Sequence, residues 1–152
     1  AATLVGQALG AERPQRAEDA VWLAGRLNLY FLGSVGVFLI AFAPQVVDLF
    51  GADAVAKGHA VSALRIIAAG FFFYAYGMVL TQSFNGAGDA WTPTFINLAC
   101  FWAWEIPVAY FLASRTPLGP AGVYWAIMLA FSAVAVISAV LFKRGSWKEK
   151  AV

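Results

Sequence analysis

Apolar residues run along this chain in long blocks that charged residues separate. Four windows stand between the charges: Leu27 to Val47 (21 residues), Ile66 to Gly88 (23), Ala90 to Ser114 (25, interrupted only by Glu105) and Thr116 to Phe142 (27). About 20 apolar residues in an α-helix cross the roughly 30 Å hydrocarbon layer of a bilayer. Each window is therefore predicted to be a transmembrane helix. A lipid-facing barrel strand needs only about 10 residues and alternates apolar with polar, a pattern none of the windows follows. A further apolar stretch, Ala1 to Gly10, is polar only at Thr3 and Gln7 and reads as the end of another helix, with Gly10 as its stop. No Met and no charged segment precede it, so the expectation is a piece of a larger protein rather than a signal-led whole. The predicted class is an all-α membrane protein, a polytopic bundle of four full spans plus the end of a fifth. Its helices are expected over 21–47, 63–85, 92–113 and 120–142, with a tail over 143–152.

Composition agrees with lipid as the solvent. Of 152 residues, 62% are apolar and 12% are charged, about half the charge density of a soluble domain. A soluble globule of about 150 residues leaves roughly 30% of its surface wet and cannot hide this much oil. The net charge of +2 is small and its carriers cluster at window ends, which excludes disorder and coiled coil and argues against nucleic-acid binding. One cysteine, Cys100, leaves neither a disulfide framework nor a multi-cysteine metal site.

Orientation follows from Lys and Arg. With both termini and the second connector on one side, that side holds Arg13, Arg16, Arg26, Lys143, Arg144, Lys148 and Lys150; the other holds Lys57, Arg65 and Arg115. The positive-inside rule then places both ends in the cytoplasm. Trp22, Trp91, Trp125 and Trp147 fall near span ends, as interfacial anchors do, whereas Trp102 and Trp104 fall near the middle of the third span.

The connectors have local chemistry of their own. Glu12 to Asp19 mixes both signs, and Pro14 suits the first turn of the helix that follows. Asn85-Gly86-Ala87-Gly88-Asp89 is a glycine-rich turn, after which Thr92-Pro93 supplies a cap and first-turn pair. It lacks the Gly-Lys-Ser/Thr ending and the preceding strand of a phosphate loop.

Glu105 stands out because a charge near the bilayer centre is unfavourable by about 2.5–3.5 kcal/mol, so such residues face a partner or a wet cavity. Pro107, two residues on, lacks an N–H and deprives the Ala103 carbonyl of its helical partner, which predicts a kink. Glu105 is thus a candidate ion-coupling site, or else a protonated acid bonded to a neighbouring helix or an acid nearer the outer surface. On the second span Tyr74, Met78, Thr81 and Asn85 share one helical stripe beside Gln82. That stripe serves as interhelical glue or as a cavity wall. Asn97, Trp102 and Trp104 offer aromatic faces to a flat or cationic molecule, or pack as core. His59 and Asp53 are too sparse for a metal site, and no serine, cysteine or histidine has the spacing of a nucleophile with its base. No enzyme and no cofactor are expected.

The run Leu4-Val5-Gly6-Gln7-Ala8-Leu9-Gly10-Ala11, with Pro14 and Ala17, resembles the cytoplasmic end of the second helix in each lobe of multidrug and toxic compound extrusion (MATE) transporters. Phe84 to Asp89, Thr92-Pro93, Pro107-Val108-Ala109-Tyr110 and Leu118 to Val123 resemble later helices of the C-terminal lobe, so the similarity covers essentially the whole chain. The resemblance implies a twelve-helix, two-lobe transporter in a bacterial cytoplasmic membrane, with this chain as the end of helix eight and helices nine to twelve. It also implies export of organic, often cationic or aromatic, compounds by alternating access, coupled to protons or sodium. The implied partners are the N-terminal lobe and helix seven, membrane lipid and the small organic substrates. In such transporters the coupling carboxylates of this lobe lie on helices seven and ten, yet Ile66 to Gly88 has no acid, and Asp89 suits a cap better. Glu105 is therefore a candidate from its own position alone. Two alternatives are a flippase for lipid-linked oligosaccharides, which would want cations inside the cavity, and a non-transporting assembly subunit.

Overall fold

The computed structural model describes residues 1–51 and 53–149; Lys150, counted above among the terminal cations, lies with the end of the tail outside the described residues. The elements are α1 (Ala2–Gly10), α2 (Pro14–Ala41), α3 (Ala43–Asp48), α4 (Ala54–Gly86), α5 (Trp91–Asn97), a π-helical segment (Leu98–Glu105), α6 (Ile106–Arg115), α7 (Ala121–Arg144) and a 3₁₀ turn (Ser146–Glu149). Among the described residues there is no strand. Four helices are long and apolar enough to cross a membrane: Pro14–Ala41, Ala54–Gly86, Trp91–Arg115 and Ala121–Arg144.

Several bounds differ from those expected, each for a local reason. The first span, expected over 21–47, breaks at Phe42, because Pro44 has no N–H for the Ile40 carbonyl four residues back. The Arg65 Nε donates to that carbonyl instead, at 3.2 Å. The second helix, expected from residue 63, starts at Ala54, where Asp53 Oδ1 accepts from the N–H groups of Val55 (3.0 Å) and Ala56 (2.8 Å). Lys57, His59 and Arg65 therefore stand on α4 rather than in a connector. At about 1.5 Å per residue α4 is some 50 Å long, so its ends project past the hydrocarbon layer.

Helix α1 ends on Gly10, as expected, but the left-handed residue of its exit lies two positions on. Glu12 takes the left-handed conformation (φ 54°), and the N–H groups of Glu12 and Arg13 donate to the carbonyls of Leu9 (2.9 Å) and Ala8 (2.8 Å). Helix α4 ends the same way around Gly88 (φ 75°), with Asp89 N–H donating to Phe84 O at 2.9 Å. Asp89 then caps the third span: its carboxylate accepts from Thr92 N–H (3.1 Å) and from the Thr92 hydroxyl (2.6 Å). The cap is the aspartate, with Thr92 as its donor.

Helix α4 is the central element, packed between α2 and α7. On α7, Gly122, Ala126, Ala130, Val134, Ser138 and Phe142 recur every fourth residue and are all buried. Lipid gives little drive to bury apolar faces, so such small residues work by letting backbones approach closely. At Gly122 an added Cβ would stand 2.6 Å from the Leu112 carbonyl carbon of α6. Between α2 and α4, Asn28 Nδ2 donates to Ala75 O at 2.8 Å.

The largest fully buried side chains lie at the end that carries α1 and the 3₁₀ turn. Val5, Val21, Leu80, Phe84, Phe142 and Trp147 meet there. Trp147 is 0% exposed, so it is a core residue and not the interfacial anchor expected. Gly145, at φ 78°, turns the chain back. The Trp147 ring then stacks on Phe142 (4.7 Å, 11°) while its indole N–H donates to Phe142 O at 2.9 Å. Lys148 pairs with Glu18 at the start of α2.

Candidate functional site

The third span is helical throughout but changes pitch in the middle. Over Leu98–Glu105 the backbone is a π-helix, in which each N–H reaches five residues back. Pro107 has no N–H to continue that ladder to Trp102, so the wide turn stops and α6 begins with Pro107 in its first turn. Such wide turns are rare and concentrate at functional sites. The local sequence, Leu98-Ala-Cys-Phe-Trp-Ala-Trp-Glu105, adds bulky rings to a segment whose backbone is already widened.

Around this turn Thr94, Asn97, Leu98, Phe101 and Trp102 line an open hollow of about 330 Å³. That volume lies at the small end of the range for ligand sites. Asn97 supplies an amide and Trp102 a ring face, 68% exposed. Cys100, on the opposite side of the same turn, is buried in the core.

The structure thus unites two of the residues singled out from the sequence, Asn97 and Trp102, and separates the rest. Trp104 is exposed (51%) and does not line this hollow. Glu105, half-buried, ends the π segment, and among the described residues no hydrogen bond or ion pair reaches its carboxylate. On α4, Thr81 is buried and its hydroxyl donates back to its own helix, to Gly77 O (2.8 Å) and Met78 O (3.0 Å). Met78 is exposed, and Asn85 Nδ2 reaches Gln82 Oε1 only at 3.4 Å.

Tyr74 connects to the hollow through rings that sequence reasoning passed over. It packs on Phe131 of α7 (centroids 4.7 Å apart), which meets Phe101 edge-on (6.4 Å, 84°). Phe101 in turn lines the hollow. Gly70 makes room for this chain, since a Cβ there would stand 2.9 Å from the Phe131 ring. The ring that Gly70 admits belongs to a residue 61 positions away, as the numbering shows. Such aromatic pairs are worth about 0.5–1.5 kcal/mol each and link α4, α7 and the π segment.

Among the described residues no group of three His, Cys, Asp or Glu could hold a metal ion.

The sequence profile of the MatE family matches residues 1–111. The chain is 29% identical over 139 residues to a "Probable multidrug resistance protein NorM" of Mannheimia succiniciproducens, covering 88% of this chain and 30% of that protein. It is 31% identical to a protein of the same description from Pseudomonas aeruginosa, covering 95% of this chain and 30% of the relative. A solved structure described as the inward-facing conformation of a multidrug resistance MATE family transporter of the MOP superfamily superposes with a TM-score of 0.88. It shares 24% identity, over 99% of this chain and 36% of that one, and so speaks for the fold. The chain spans about a third of the length of the relatives it matches.

Proposed function

The chain belongs to the MatE family of multi-pass membrane transporters, and from that premise we propose that it works within a cation-coupled exporter of organic compounds. Members of this family are transporters, not enzymes. In our reading the chain supplies the end of helix eight and helices nine to twelve of the C-terminal lobe. The N-terminal lobe and helix seven complete the path, and both ends face the cytoplasm of a bacterial cell across its inner membrane.

The observation that carries the reading is the wide turn of the third span, which presents Asn97 and Trp102 in one hollow and ends on an acid. Flat or cationic substrates suit that hollow, because a ring face attracts a desolvated cation by about 2 kcal/mol. Coupling follows from the same segment. A carboxylate at bilayer depth is unfavourable by about 2.5–3.5 kcal/mol, and a proton or sodium ion arriving at Glu105 removes that penalty. If only one of two transporter states keeps Glu105 in oil, the populations move by a factor of order 100. None of the ten Lys and Arg falls within the four apolar windows, so the stretches that cross the oil lack the cations that an oligosaccharide diphosphate would need.

The test is efflux of a fluorescent aromatic cation from cells carrying the full-length gene. Glu105→Gln is expected to abolish the dependence of efflux on the proton or sodium gradient while membrane insertion stays intact. Trp102→Ala is expected to weaken apparent affinity about 5- to 30-fold, the size of one cation–π contact. Gradient-dependent efflux that survives Glu105→Gln removes this residue from the coupling.

A further inference from the structure

A partly enclosed hollow of about 170 Å³ lies away from the third span, in the crotch between α1 and α2. Leu4, Gln7, Ala8 and Ala11 of the first helix and its exit line one side; Arg13, Arg16 and Ala20 line the other. At roughly 30 Å³ per water molecule the space holds about five small heavy groups. Drug-sized ligands need at least about 300 Å³, so a transport substrate does not fit.

The lining is strongly cationic. Arg13 and Arg16, both exposed, share it, and among the described residues neither forms an ion pair: Glu18 is taken by Lys148, while Glu12 and Asp19 pair with neither arginine. No side chain caps the start of α2, and Pro14 stands in its first turn, so the helix dipole adds positive potential at the same place. Guanidinium forks match the oxygens of phosphate in pairs. Gln7 adds an amide donor. Leu4 and Leu23 are both exposed, and Leu23 lies seven residues beyond Arg16, or about 10 Å along the helix. That spacing sets the arginines near the headgroup layer when the apolar face of α2 is in oil.

We propose that this hollow is a phosphate-binding site whose natural occupant is the headgroup of an anionic phospholipid. Arg13 and Arg16 hold the phosphate oxygens, Gln7 completes the ring of donors, and Leu4 meets the start of an acyl chain. The site ties α1 to α2 beside the core formed by Val5, Val21 and Trp147. It requires only that the chain lies in a bilayer and is independent of what is transported.

The experiment uses the full-length protein in phosphatidylcholine nanodiscs, with phosphatidylglycerol titrated in and bound lipid read by native mass spectrometry. Two arginines near a membrane surface predict a preference of about 30-fold for phosphatidylglycerol over phosphatidylcholine. The double variant Arg13→Gln/Arg16→Gln is expected to lose that preference, and Arg13→Lys/Arg16→Lys to keep part of it. Ala20→Leu fills the hollow without touching the charges and is expected to lose it as well; thermal unfolding verifies that each variant is folded. A parallel titration with inorganic phosphate separates the sources: binding of phosphate with no lipid preference assigns the site to free phosphate. The proposal is overturned if the wild type responds to neither, or if the preference survives in both the double glutamine variant and Ala20→Leu.

Discussion

Two prolines interrupt two membrane helices, and the chain repairs them in opposite ways. Pro44 orphans the Ile40 carbonyl, and a side chain from the next helix, Arg65, reaches across to satisfy it. The backbone breaks cleanly at Phe42 and regular helix resumes. At Pro107 the ladder itself widens into the π segment over Leu98–Glu105, and among the described residues no hydrogen bond or ion pair reaches the Glu105 carboxylate. One lesion is locked from outside; the other is absorbed by the backbone. A locked break fixes a bend, whereas a widened turn is a local arrangement with an alternative close by, the ordinary α-helix. The second kind is where a lobe that must change shape is expected to keep its moving part.

This contrast can be broken first at Pro107. Proline disfavours a helix interior by about 3 kcal/mol, so Pro107→Ala is expected to let α-helix propagate through the wide turn, raise the melting temperature and reduce efflux at least tenfold. Melting of the full-length protein in detergent, measured beside dye efflux, checks both halves. A more stable protein with unchanged efflux would show that the widened turn is ornamental.

The next test removes the lock. Arg65→Met leaves the Ile40 carbonyl without its donor, a loss of about 1–2 kcal/mol. Pro44→Ala restores the missing N–H and is expected to rescue most of that loss in the double variant. A full loss that persists in the double variant would sever the link drawn between these residues. The smallest effect sets the scale for both: Asn28→Ala deletes one interhelical bond to Ala75 O and is expected to cost about 0.6 kcal/mol, the mean for such bonds in membranes.

The four spans were legible because hydrocarbon thickness imposes a length that charges delimit, and residues 66–88 or 116–142 could be read almost by counting. The start of α4 was not. Lys57, His59 and Arg65 lower the hydropathy there, while the Asp53 cap that starts the helix is a hydrogen bond, which a hydropathy window does not register. Trp147 looked like an interfacial ring because sequence shows how far a residue lies from a span end but not that Gly145 turns it inward. At the candidate site, Asn97 and Trp102 were readable as polar and aromatic outliers in oil. Their meeting in one hollow was not: on an α-helix of 3.6 residues per turn they lie far apart in angle, and only the π pitch alters that phase. Phe101 and Phe131 escaped notice as ordinary apolar residues in an apolar span, since nothing but three-dimensional proximity distinguishes a ring that relays Tyr74 to the hollow.

The returning turn after α7 has a practical corollary for anyone handling this molecule. Residues 145–148 form a clasp, with an aromatic plug on one side and a charged latch on the other, that fastens the last long helix to the first. A reporter or affinity handle joined straight after Arg144 would pull the plug and leave Phe142 bare, whereas one joined beyond Lys148 leaves the clasp shut.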